Sequence, residues 1–300
     1  MIYFKKELIK VDGIYQKETN IRTSKIIQDF YKTKPFPNFS TIDSKSTILE
    51  IGNKNIIAKN IKQFFKFNKK ILEVGSGTSQ LSNYLAIGTN NDVIAMDTTL
   101  DSLKIGKGFS EKNGIKNITY VKADLFEDIF KDNVFDLVWC SGVLHHTSDP
   151  YGGFKNILKF LKKDGYIIIG LYNKIFRIRT LVRKYLSKVF GKKILMKFDP
   201  HIKKLNYKLN EEKINAWIND QYYHPVESLH TFDEVLNWFK KNNIEYINSI
   251  PNIGKNYNDN LFIKVDSGDY VSRFLSQFSS IFSALGGEGG LFILVGKKTN

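Results

Sequence analysis

Between Ile71 and Ala86 the sequence gathers residue types able to hold a polar ligand. Ile71, Leu72 and Val74 form a short apolar run, Gly75, Ser76 and Gly77 turn the chain, and Gln80, Leu81, Tyr84, Leu85 and Ala86 follow at helical spacing. A strand, a glycine turn and a helix start present backbone N–H groups and the positive end of a helix dipole to such a ligand. Glycine suits the turn because a Cβ would block close approach or a positive φ. Glu73 stands just ahead of it, and further acids close later apolar runs: Asp97, followed by Thr98, and Asp124, followed by Leu125. An acid at the Asp97 position can accept from both hydroxyls of a ribose, as in dinucleotide folds, or cap the helix that follows. A fourth run ends at Cys140-Ser141-Gly142-Val143-Leu144-His145-His146. His145, His146, His224 and Tyr223 are the candidate general bases, with capping or packing as the alternative for each histidine. The five histidines lack H-x-x-x-H or H-E-x-x-H spacing, so no metal site is expected.

These side chains need a frame. Short apolar strands are expected at 71–74, Asp92–Asp97, Asn117–Ala123, Phe135–Cys140 and Tyr166–Leu171. Between them lie amphipathic helices at Leu100–Lys112 and Tyr151–Leu161, and a helix over 55–66 leads into the first strand. Alternation of this kind gives a parallel sheet with helices on both faces and right-handed crossovers. Ligands in such sheets bind beyond the carboxyl ends of the strands, where the acids above stand.

The order Glu73-x-Gly75-x-Gly77-x-Ser79 resembles motif I of class I S-adenosylmethionine (SAM)-dependent methyltransferases, with Ser79 where a third glycine is usual. The span 71–173 as a whole is similar to that family, and most to the broad group that includes the ubiquinone and menaquinone methyltransferases. EVGSGTSQ, AMDTT, KADLF, FDLVWCSGVLHHTSDP and LKKDGYIIIGLYN carry the likeness in order. The resemblance implies an α/β fold of three Rossmann-like layers: a seven-stranded, mostly parallel sheet in the order 3-2-1-4-5-7-6, the last strand antiparallel. Residues 246–250 and 291–295 would supply strands six and seven. It implies SAM as cofactor. Glu73, Gly75, Ser76, Gly77 and Gln80 would serve its amino acid and ribose portions, Asp97 and Thr98 the ribose, Asp124 and the Leu125 amide the adenine. Cys140 and Ser141 would line the methyl-donor region.

The chain divides into an N-terminal arm (1–45), a cofactor-binding core (46–173), a basic helical cap inserted between strands five and six (174–228) and the completion of the sheet (229–300). In the arm, Ile26, Ile27, Phe30 and Tyr31 suggest a short helix, and KPFPNF (34–39) forces an extended stretch. That stretch either packs on the domain or forms a flap over the site. In the cap, Ile178, Leu181, Val182, Tyr185, Leu186 and Val189 make an apolar stripe, expected to pack on the sheet, with Arg177, Arg179, Arg183, Lys184 and Lys188 on the other face. A second helical stretch is expected over Asn210–Asn219. Thr231 with Glu234 caps a helix over Phe232–Lys241.

Composition narrows the rest. The chain has 300 residues, 42% hydrophobic, a net charge of +15 and one cysteine. One cysteine excludes an internal disulfide and a cysteine metal cluster, and a reducing, cytoplasmic location is expected. The sequence has no run of 18 apolar residues, so no membrane span is expected. The positive charge is nearly all lysine, with only five arginines, whereas arginine is the preferred bidentate reader of phosphates and bases. Taken with the family resemblance, which implies methyl transfer, this favours O- or C-methylation of a small molecule or a glycan or lipid precursor, with peripheral membrane contact through 175–190. The alternatives are an RNA methyltransferase using the basic insertion, an NAD-dependent oxidoreductase and a non-catalytic cofactor-binding regulator.

Overall fold

The computed structural model describes residues 3–32, 44–204, 211–282 and 289–300. The KPFPNF stretch lies outside the described residues. The sheet has nine strands: β1 (Ile9–Val11), β2 (Ile14–Gln16), β3 (Lys70–Val74), β4 (Asp92–Asp97), β5 (Ile118–Lys122), β6 (Phe135–Ser141), β7 (Leu161–Tyr172), β8 (Ile244–Ile250) and β9 (Leu291–Lys298). Its order is β1-β2-β5-β4-β3-β6-β7-β9-β8. From β5 onward this is the order 3-2-1-4-5-7-6, with β9 antiparallel to both β7 and β8.

The expectation of seven strands is corrected by the β1–β2 hairpin, which extends the β5 edge, β2 running parallel to β5. Strands of three residues are too short for alternation to register. The turn between them, Asp12-Gly13, was the legible signal, with both residues at positive φ.

Helices α1 (Arg22–Lys32), α2 (Lys45–Lys54), α3 (Ile56–Phe65), α4 (Gln80–Ala86), α5 (Leu100–Lys112) and α6 (Pro150–Lys159) accompany the parallel strands. Four more, α7 (Ile178–Phe190), α8 (Lys193–Phe198), α9 (Pro200–Lys204) and α10 (Glu211–Tyr223), stand between β7 and α11 (Phe232–Lys241). A twelfth, α12 (Tyr270–Ser279), precedes β9 and was not read from the sequence. Start signals operate as chemistry: Asn55 Oδ1 accepts from Ile57 N and Ala58 N at the head of α3, and Thr231 Oγ1 accepts from Glu234 N at the head of α11.

Each sheet face has its own core. One holds Leu72, Val74, Val138, Phe154, Phe160 and Phe239, the other Ile71, Val93, Leu137, Phe65 and Tyr84. Alternate residues of β3 therefore go to opposite faces. A separate cluster of Leu195, Ile202, Ile214, Ile218 and Tyr222 holds the inserted helices together.

The orientation of α7 differs from the one expected: Thr180, Arg183 and Ser187 are its buried residues, Leu181 and Leu186 are half-buried, and Ile178, Val182, Tyr185 and Val189 are exposed. The polar face points inward because partners wait for it there. Arg183 Nε donates to Tyr222 Oη at 2.9 Å, and Tyr222 Oη donates to Asp199 at 2.5 Å. Arg177, just ahead of the helix, is fully enclosed. It makes a two-pronged ion pair with Glu227 (3.1 and 2.8 Å), and its guanidinium lies 3.3 Å from the centre of the Tyr172 ring.

Candidate functional site

A cavity of about 630 Å³ opens at the carboxyl ends of the central strands. This volume is ordinary for a small-molecule site. Its floor is the corner after β3. There Gly75 adopts φ +69° and Gly77 φ +51°, and a Cβ on Gly75 would stand 2.2 Å from Val143 Cγ2. Ser79 also takes a left-handed conformation, φ 60°, so the position usual for a third glycine keeps a glycine-like backbone.

The amides of this corner do not face the cavity as the sequence suggested. Gly75 N and Ser76 N donate to Met96 O at 2.8 and 2.9 Å, and Gly77 N donates to Asp97 Oδ2 at 2.8 Å. The loop is stapled to the end of β4, which fixes its shape and leaves side chains and carbonyls to meet a ligand.

Asp97 serves both readings. Its Oδ1 accepts from Thr99 N at 2.7 Å at the head of α5, and the carboxylate lines the cavity with acceptor capacity left over. Glu73 also lines the cavity, and its Oε2 accepts from Ser82 N at 2.9 Å and from Ser82 Oγ. Burial pushes the Glu73 carboxyl up to about 7, against the Ser82 bonds, and the Asp97 charge adds to the rise. Burial raises Asp97 too, opposed by its backbone bonds. Asp124 accepts from Phe126 N at 3.0 Å and from Thr19 Oγ1 at 3.2 Å, and lines the cavity beside Leu125. Ser76, Gln80, Thr98 and Ser141 line it as well.

Four expected site residues do not: Tyr223, whose Oη meets Ser187 Oγ at 3.3 Å, and Cys140, His145 and His224. Cys140 is wholly buried in the apolar layer on the far side of β6, because side chains alternate along a strand and its neighbours Trp139 and Ser141 take the cavity side. Burial pushes its thiol far above the usual range. His145 is enclosed, its ring 3.9 Å from that of Tyr172, and neither ring nitrogen finds a partner among the described residues. His224 packs on His146, rings 3.5 Å apart, instead of lining the cavity. His146 does line it, and its Nδ1 meets Val226 O at 2.7 Å. That contact requires a proton on Nδ1 and leaves Nε2 as the acceptor. Burial holds all three histidines neutral, below the usual range.

Another part of the cavity wall is built by residues that the sequence did not mark as site residues. Tyr31 of α1 donates to Asp220 Oδ1 of α10 at 2.5 Å, Gln221 Nε2 donates to Asp220 Oδ2 at 2.9 Å and to Tyr172 Oη at 2.8 Å, and all four line the cavity. Asp220 is buried, and burial raises its carboxyl against these bonds. Trp217 and His201, rings stacked 4.0 Å apart, complete the wall. No local pattern marks Asp220 in the sequence. The phosphate-reading surface imagined for RNA loses its centre, since Arg177 and Arg183 are buried and engaged.

A family model described as a methyltransferase domain matches residues 65–243. The ubiquinone biosynthesis O-methyltransferase of Glaesserella parasuis is 30% identical over 122 residues, 39% of this chain and 50% of that protein. The ubiquinone/menaquinone biosynthesis C-methyltransferase of Idiomarina loihiensis is 30% identical over 108 residues, 35% of this chain and 43% of that protein. The chain thus spans about half the length of the curated relatives it matches. The solved magnesium protoporphyrin IX methyltransferase of Synechocystis PCC 6803, with bound SAH, is 12% identical with a TM-score of 0.53, over 92% of this chain and 99% of that one, a likeness of fold.

Proposed function

Because this chain belongs to the methyltransferase-domain family, we propose that it transfers a methyl group from SAM to a small-molecule acceptor at oxygen or carbon. One observation carries the reading. The carboxylates of Glu73, Asp97 and Asp124, at the tips of three adjacent strands, share one cavity with the Asp220–Tyr31 pair. Glu73 and Asp97 are both raised by burial, and Asp97's charge raises Glu73 further. A cationic ligand rich in hydroxyls suits such a donor-seeking end, and SAM, with its sulfonium, ammonium and ribose, is such a ligand. When bound it supplies an electrophilic methyl group.

The residues of the chain do the remainder. Asp97 accepts from the ribose hydroxyls, with Thr98 beside it. Asp124 and the Leu125 amide take the adenine edge. Glu73 holds the first turn of α4 and orients the amino acid portion through the corner Gly75-Ser76-Gly77 and Gln80. Ser141 and its neighbours line the reacting centre. Alignment of acceptor and methyl group in a closed site can supply about 7–11 kcal/mol of the barrier reduction.

The ring-bearing wall of the cavity, Trp217, His201, Tyr172 and Tyr31, fits a planar or aromatic acceptor. Asp220 is the group we assign to receive the acceptor's proton, with His146 Nε2 as the second acceptor within the same cavity. In this reading residues 174–228 act as the cap that shapes the acceptor end, and residues 46–173 and 229–300 as the cofactor-binding frame. Cys140 stays reduced in a cytoplasmic setting. The O- and C-methyltransferases of ubiquinone biosynthesis among the relatives favour oxygen or carbon as the target atom.

Calorimetry with SAM, S-adenosylhomocysteine and NAD tests the cofactor: the first two are expected to release or absorb heat and NAD is not. Incubating metabolite extracts with labelled SAM, using Asp97→Ala as the control, then identifies the acceptor. Heat with NAD alone would sink the reading.

A further inference from the structure

Helix α7 buries Thr180, Arg183 and Ser187 and leaves most of its apolar stripe exposed, with Leu181 and Leu186 half-buried. Tyr185 is 68% exposed and Phe190 69%, with Ile178, Val182 and Val189 beside them on the outer side. A surface helix ordinarily does the opposite. Helix α12 has the same character: Gln277 is its buried residue, while Val271, Phe274, Leu275 and Phe278 are exposed and Phe282, just beyond, is 75% exposed. The two helices are tied to the same corner of the fold. Asn173 Nδ2 donates to Gln277 Oε1 at 2.8 Å, and Arg179 donates to Ile281 O at 2.8 Å.

Charge narrows what could cover these side chains. From Lys174 to Lys204 the sequence has a single acid, Asp199. That carboxylate is buried and engaged by Trp217 and Tyr222. Lys174, Lys188, Lys192, Lys193 and Lys197 are exposed around the apolar residues of α7. The acids near α12, Asp266 and Asp269, precede the helix, and its one cation, Arg273, is paired with Asp233. On α7 an apolar face rimmed by lysines, with no acid on the helix, is complementary to an anionic bilayer, into which the apolar side chains dip while the lysines reach the headgroups, and α12 adds apolar side chains alone. A second copy fits poorly, because each copy carries a net charge of +15 and would bring its lysines against its partner's.

We propose that α7 and α12 form a docking surface for an anionic membrane. The docking is interfacial: no helix among the described residues is long and apolar enough to cross a bilayer. The proposal is independent of the methyl-transfer reading. It gives the inverted helix a purpose, since α10, which packs against the inner face of α7 through Tyr222 and Tyr223, also supplies Trp217, Asp220 and Gln221 to the cavity. A bilayer held on α7 lies one helix layer from the acceptor end.

Flotation of the full chain with lipid vesicles tests this. Binding is expected to vesicles containing phosphatidylglycerol, to weaken with salt, and to be far weaker on phosphatidylcholine alone. The pairs Val182→Glu/Tyr185→Glu on α7 and Leu275→Glu/Phe278→Glu on α12 are each expected to lower partitioning about tenfold or more. Circular dichroism and SAM affinity should not change, since none of the four residues touches the cavity. Absence of vesicle binding, or binding unmoved by both pairs, overturns the proposal. So does a concentration-dependent dimer in light scattering that the α7 pair abolishes, which would give the face to a second copy.

Discussion

Tyr31 and Asp220, 189 positions apart in the chain, meet through a 2.5 Å hydrogen bond that joins helix α1 to helix α10. Gln221 secures the second carboxylate oxygen. The pair places a buried acid in the wall of the cavity that also holds the glycine corner, and both residues line that cavity.

Asp220→Asn removes the proposed proton acceptor and keeps the shape. The turnover number is expected to fall about 10²–10⁴-fold, the usual contribution of a general base, with SAM affinity by calorimetry unchanged. In the native protein the rate should rise with pH as the Asp220 carboxyl ionises, over a range above that of an ordinary carboxylate, because burial raises it. The variant should lose that limb. An unchanged profile would move the role to His146.

Tyr31→Phe keeps the ring and leaves Asp220 short of one donor. A stability loss of about 1–3 kcal/mol is expected, read from urea unfolding monitored by fluorescence. The KM for the acceptor should rise, because the α1–α10 contact forms part of the wall.

Glu73 gives a pH test of the cofactor end. Its carboxyl titrates near 4.5 when exposed and is pushed up to about 7 in the fold. The folded state therefore binds the extra proton between these values, so stability is full below about pH 4.5 and declines as pH rises to about 7. The fall is on the order of 3 kcal/mol. Glu73→Gln should flatten this dependence in thermal unfolding measured across that window. A cationic ligand favours the ionised form, so SAM affinity in the native protein should climb with pH through the same range.

Gly75→Ala tests the corner. The residue sits at φ +69°, and its new Cβ would meet Val143 Cγ2 at 2.2 Å. Either Val143 or the loop must shift, so SAM binding is expected to weaken by at least about tenfold, a cost of roughly 1.4 kcal/mol or more. Unchanged affinity by calorimetry would show that the corner does not set the cofactor's position.

Arg177→Met leaves Glu227 without its partner in the interior. Removing one member of a buried ion pair costs about 3–5 kcal/mol, and here hydrogen bonds to Gln221 and Gly289 are lost as well. Denaturant midpoints compare the variant with Arg177→Met/Glu227→Gln, which should recover part of the loss.

While the strand order came only from the family resemblance, the sequence alone determined the alternation of strands and helices, the acids at the strand tips and the glycine corner. Each follows from a local signal: a short apolar run, an amphipathic period, a turn residue. Those signals lie within a few residues of what they specify, so they survive without the rest of the chain. Thr231 and Gly75 could be assigned for the same reason. The tertiary structure decided which atoms are left for a ligand. Gly77 N turned out to belong to Asp97, and Cys140 to the core, because a neighbouring strand took the first and the pleat turned the second away. It also brought Asp220 to Tyr31, a meeting with no trace in either segment. For α7 the periodicity reported an apolar stripe correctly and its direction wrongly. A helical period says that two faces differ. Which one turns inward depends on what the neighbours offer, and here Glu227 offered a partner to Arg177 and Tyr222 one to Arg183.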